Sequence, residues 1–327
     1  MTSKTRFVAI SSLVVVVIGL GAALVSNYSG SAPGPFSRRI GPEELLYVPR
    51  NAALVAYMDV RAVMASDLKR RLQRAWPSQE DGRQELQRQT GINIETDIDH
   101  VVACVEPGPS AATSSGLALA RGRFDETKIE SLMREHGAQV ELYKNKRLIV
   151  AVQAPTPFAL SFLRSGVVAV GHAPLVRRTI DLANGGDNIT SNADAMKIIS
   201  TLDSGTSWVV GRFDTLRSAA ELPVQLNQLS AVTWFSVLGR VDTGVDGVIR
   251  AETRDEESAS QLRDVVRGFM ALAKVQAGSK PELQQMVQSF ELTGAGKTMA
   301  LTFSVPAQVF DLASPTGGPR QEGPRTH

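Results

Sequence analysis

The chain has 327 residues, of which 43% are hydrophobic and 21% charged, values of a folded globular protein rather than a disordered one. Thirty-five Lys and Arg against 33 Asp and Glu leave a formal charge of +2, which excludes a chain built around bulk attraction to nucleic acid. One cysteine, Cys104, excludes an intrachain disulfide framework and a cysteine-cluster metal site. No metal and no cofactor is expected.

The elements begin with a membrane signal. Lys4 and Arg6 precede Phe7–Ser26, twenty residues without a charge. At about 1.5 Å per residue such a helix spans roughly the 30 Å of bilayer hydrocarbon. The reading is a transmembrane anchor over residues 7–26, with residues 1–6 in the bacterial cytoplasm and the remainder outside, as the positive-inside rule requires. The alternative is secretion after signal-peptide cleavage near Gly21-Ala22-Ala23. Residues 27–41, rich in Ser, Gly and Pro, read as a flexible tether, and residues 314–327 as a disordered tail of the same character.

Between tether and tail, strands and helices alternate. Ala53–Met58 reads as a strand, and Asp59 starts an amphipathic helix through Val60, Val63, Met64, Leu68, Leu72 and Trp76. A more polar helix is expected over 78–90. Two strands, His100–Val105 and Gly116–Arg123, flank the loop 107–115, and Asp125 caps a helix that Gly137 ends. Two hairpins follow, Gln139–Tyr143 with Arg147–Val152 and Phe158–Leu163 with Gly166–Gly171, then a helix opened by Pro174. Ser207–Gly211 is a strand leading to Asp214 and a short helix. Ala231–Val241 and Gly244–Glu252 pair, Asp255 opens a long helix, and the hairpin Ser289–Thr293 with Thr298–Val305 leads to a last helix at Pro306.

This order occurs twice. AYMDVRAVM stands against VGRFDTLRS, RFDETKIESL against TRDEESASQL, and VVAVGHAPLV against LTFSVPAQVF. The fold expected is therefore α+β, with two tandem similar halves over 42–203 and 204–313. Each half would be a mainly antiparallel sheet with helices on one face, and the helices at Pro174 and Pro306 would correspond. The opening LLYVPRNAALVAYMDVRAVM, behind an anchor, resembles the start of uncharacterised exported bacterial proteins with a VPADA…AYxDV stretch before a helix. The resemblance implies an exported domain of unknown function and carries no activity.

Chemistry is sparse. TGAGKT at 293–298 has Glu291 where a phosphate-binding loop needs glycine, and an alternating strand follows it, so it reads as a hairpin turn. His100 and Cys104 share a strand face roughly 13 Å apart and cannot bind one metal. His136 suits a helix C-terminus. Lys69, Arg70, Arg71 and Arg74 form a basic helix face, read as solvated in preference to lipid-bound. The site candidates are Asp59, Asp125, Asp214 and His172, with capping as the simpler role for the aspartates. The function expected is an extracytoplasmic binding or scaffold module acting on another envelope protein or on itself. The alternative is an envelope enzyme with those acids in a cleft between the halves.

Overall fold

The structure is a computed structural model and describes residues 41–75, 87, 92–108, 114–151, 157–202, 205–219, 231–278 and 280–311. The span 7–26, the tether up to residue 40, the tail 314–327 and, but for residue 87, the helix expected over 78–90 lie outside the described residues. Among the described residues no helix is long and apolar enough to cross a membrane.

In chain order the elements are a 3-10 turn Glu43–Tyr47, β1 Leu54–Asp59, α1 Val60–Ala65, α2 Asp67–Ala75, α3 Ile94–Asp97, β2 Ile98–Glu106, β3 Ser115–Gly122 and α4 Glu126–Glu135. Then come β4 Gln139–Tyr143, β5 Lys146–Ala151, β6 Phe158–Arg164, β7 Val167–His172, α5 Ala173–Ala183, a 3-10 turn Ile189–Ser191 and α6 Ala193–Ile199. The chain continues with β8 Ser207–Arg212, α7 Phe213–Ala219, β9 Val232–Val241, β10 Gly244–Thr253, α8 Glu256–Ala277, α9 Pro281–Gln288, β11 Glu291–Thr293, β12 Thr298–Pro306 and α10 Ala307–Asp311.

The fold is α+β, with one large antiparallel sheet and helices. Its twelve strands run in the order β11-β12-β10-β9-β8-β1-β2-β3-β7-β6-β5-β4. Short turns explain the hairpins. Lys144 and Asn145 both take positive φ (46° and 64°), the geometry of a two-residue turn that closes β4 on β5. A separate sheet for each half was expected. Instead β1 and β8 pair antiparallel from Leu54↔Gly211 to Met58↔Ser207, so the sheet is continuous across the junction. At that junction β8 passes under an aromatic ring, and a Cβ on Gly211 would lie 2.5 Å from the Phe235 ring.

Alternation along the strands splits the sheet into two faces. One carries Val55, Val102, Cys104, Leu117, Leu119, Trp208 and Val210. It is covered by Leu45 and Val48 of the entering chain, Leu175, Val176 and Ile180 of α5, and Ala195 and Ile199 of α6. The other face packs Val101 and Ala118 on Val60 of α1. Further along it, Val241 and Val245 meet Val63, Leu68 and Ala307, and Ala251 and Met299 meet Leu262 of α8. Helices therefore lie on both faces, which corrects the one-face expectation. The cause is α5. Its buried Leu175, Val176 and Ile180 join the first face, whereas Ala307 of α10 joins the second, so the helices at Pro174 and Pro306 do not correspond.

The long helix expected after Asp59 is two helices. Ser66 has extended backbone, its Oγ donates to the Val63 carbonyl at 2.7 Å, and it accepts from the Lys69 N–H at 3.2 Å, ending one helix and starting the next. Besides the one-turn α3, two helices were not foreseen, α6 and α9. The second has a proline in its first turn, the same signal that marked α5.

Candidate functional site

The first described turn brings charge into the core. Pro42 leads into Glu43–Tyr47, and the Leu45 N–H donates back to the Pro42 carbonyl at 3.1 Å. The turn seats Leu45 in the main core and points Glu44 the same way, leaving its side chain with no exposure. A carboxylate so placed needs partners, because burying an unpaired charge costs several kcal/mol.

Two neighbouring strands supply them. In the ladders Asp59 stands opposite His100, and His100 opposite Arg121, so these residues line one end of β1, β2 and β3. His100 Nε2 donates to Glu44 Oε2 at 2.8 Å, and Arg121 Nε donates to Glu44 Oε1 at 2.7 Å. A second arm of Arg121 reaches Glu43 at 3.0 Å, and Arg164 at the end of β6 reaches the same carboxylate at 2.5 Å. The Tyr57 ring lies 5.6 Å from the His100 ring and stacks on Trp208 at 5.7 Å. Burial pulls the Glu44 carboxyl upward, but the bond and charge of His100, its own backbone and the Arg121 bond outweigh it and hold the group at about 2.

The cluster balances two carboxylates against two guanidiniums and an imidazole. Glu44 is ionised, fully covered and engaged on both oxygens. Its geometry is that of a clasp holding the entering chain to the middle of the sheet, and it offers no free base.

The sequence candidates do not converge. Asp59 Oδ1 accepts the Ala62 N–H at 2.9 Å and caps α1. Asp125 Oδ1 accepts the Lys128 N–H at 3.0 Å and caps α4. Asp214 lies inside the first turn of α7, where it accepts the Thr215 N–H at 2.7 Å and pairs with Arg212 at 3.2 Å. His172 Nδ1 accepts the Gly116 N–H at 2.9 Å, extending the β3–β7 ladder by one bond. Because β1 and β8 are antiparallel, Asp59 and Asp214 belong to opposite ends of the junction, separated by at least six strand residues or about 20 Å.

Cys104 is buried, and burial raises its thiol to about 12. His136 caps the end of α4, its Nδ1 2.7 Å from the Leu132 carbonyl. Lys69 is bound to Glu95 at 2.7 Å and Arg70 to Asp67, so this stretch of helix is laced with pairs. Residues 294–297 turn between β11 and β12, with Gly294 and Gly296 at positive φ. Among the described residues no group of three His, Cys, Asp or Glu could hold a metal ion.

The Glu44 clasp is not legible in the sequence, because nothing local to Glu43-Glu44 points to partners 56 and 77 residues away.

No protein family matches the chain, and no curated protein does. Among solved structures, crystal form III of TP0453 aligns with a TM-score of 0.49 at 7% identity, covering 84% of this chain and 98% of that one. Crystal form I of TP0453 aligns at 0.46 and 9%, covering 84% and 97%.

Proposed function

We propose that the chain is a binding or scaffold protein of the bacterial cell envelope, held by residues 7–26 in the cytoplasmic membrane with its folded part outside. The observation that carries the reading is how the candidate groups are used. Asp59 and Asp125 cap helices, His172 extends a ladder, and Glu44 is sealed under Arg121 and His100. Groups committed to backbone and buried pairs are poor general acids or bases, which need reach and an adjustable proton.

The reading includes a tandem duplication. In its favour, the sheet grows outward from the β1–β8 junction as β1-β2-β3-β7-β6 on one side and β8-β9-β10-β12-β11 on the other. Val60 after β1 and Phe213 after β8 pack on the same sheet face. Against a complete repeat stand β4 and β5, which have no counterpart, and α5, which crosses to the other face. A sheet that doubles a unit edge to edge gains breadth, and breadth serves a scaffold.

The test uses spheroplasts and isolated membranes. The full chain should resist alkaline carbonate extraction and lose its folded part to protease added outside. Release by carbonate would overturn the anchor, and protection from protease would overturn the orientation. A released chain whose mass begins near Leu24 would put the secreted form in its place.

A further inference from the structure

Helix α8 is apolar on two sides. Ala259, Leu262, Val266 and Ala277 face the sheet or lie covered. On the outer side Phe269 is 57% exposed, Leu272 51% and Val275 77%, large values for such side chains. At about 100° per residue these fall in one stripe with Val265 and Gly268, bounded lengthwise by Gln261 and Gln276.

We propose that this stripe binds the same stripe of a second copy of the chain, the two α8 helices running antiparallel. The sequence is self-complementary under that two-fold except at Val275, which falls opposite the sheet-facing Leu262 and stays at the rim. With the axis between Gly268 and Phe269, Val265 meets Leu272, Gln261 meets Gln276, and each Phe269 ring lies over the other copy's Gly268. A Cβ added at Gly268 would find nothing within 4 Å, so the space above it is open. The same axis brings Glu257 to the end of the other α8, where Lys280 lies, an opposite-charge match at each rim.

Charge also selects against a lipid occupant. The seam has no charged residue, and its border carries Glu257 and a closed Asp264–Arg267 ion pair at 2.6 Å in place of a row of cations. Lys274 points roughly 160° away from Leu272. Anionic headgroups need the reverse arrangement. One helix pair is small beside the roughly 1,200 Å² of a stable interface. The pairing is therefore weak in dilute detergent and stronger where an anchor confines the chain to a plane. The inference names a partner for the proposed scaffold and rests on that reading, but its test in detergent does not depend on membrane attachment.

The test is disulfide trapping in the full detergent-solubilised chain, using Val265→Cys and Leu272→Cys on differently tagged copies. Cys104 is buried and stays out of the reaction. Under mild oxidation the mixed pair should cross-link at least tenfold faster than either variant with itself. Phe269→Glu or Gly268→Leu added to both copies should abolish the product without lowering the melting temperature. Equal self-linking of Leu272→Cys, or no product at high protein concentration, overturns the proposal.

Discussion

Glu44 and His100 are 56 residues apart in sequence, yet the imidazole Nε2 donates to the buried carboxylate at 2.8 Å. With Arg121 on the other oxygen, the pair ties the entering chain to β2 and β3. Replacing Glu44 by Gln should destabilise the fold by about 3 kcal/mol near neutral pH, because the buried negative charge is lost and one of the two oxygens that accept from His100 and Arg121 becomes an NH2 donor. Urea unfolding measures this. A change below about 1 kcal/mol would show the clasp to be incidental.

The same pair predicts a pH dependence. A folded carboxyl at about 2, against 4.5 when unfolded, contributes stability in full above pH 4.5 and loses it as pH falls through 2. The difference between the natural chain and Glu44→Gln should therefore shrink steadily as pH falls below 4.5. A difference that holds unchanged to pH 2.5 would assign the effect to packing.

The caps should act locally. Asp59→Ala and Asp125→Ala should each cost about 1 kcal/mol, and the Asn variants much less, since Asn also accepts from a backbone N–H. The double variant should be additive, as the two helices cap separately. Coupling above about 0.5 kcal/mol, read from a thermal double-mutant cycle, would place both acids in a shared site.

Two glycines should respond to alanine with opposite signs. Gly211→Ala puts a methyl into the Phe235 ring and should destabilise by about 1–3 kcal/mol. Gly268→Ala, in an open helical position, should stabilise by about 0.8–1 kcal/mol in dilute protein. Urea midpoints decide both.

Cys104 lies in the centre of the core with its thiol raised to about 12, so it should resist Ellman's reagent in the folded chain and react at the rate of unfolding. Fast labelling under native conditions would mean that β2 opens locally.

Much of the local structure was legible in the sequence. Period-two runs placed β1, β2, β9 and β10 to within about two residues. Asp125 and Asp255 placed the starts of α4 and α8, their carboxylates accepting from Lys128 and Ser258. What failed depends on three-dimensional assembly. The split at Ser66 turns on one hydroxyl choosing the Val63 carbonyl, and the apolar spacing runs straight through it. The side on which α5 lands is decided by its linkage after β7, which periodicity does not encode. Of the site, Asp59, Asp125 and His172 were named and proved to be fasteners. The Glu44 cluster was invisible because its partners come from three separate strands.

The β1–β8 ladder also sets an order of events. Leu54 finds its partner Gly211 only after roughly 150 further residues have been made, a separation that slows folding. Until β8 arrives, β1 is a raw edge of unpaired backbone at the middle of what will become the sheet. The early part of the chain must wait, open-sided, for the late one. A truncation that stops before Ser207 would therefore leave an aggregating fragment rather than a smaller working protein.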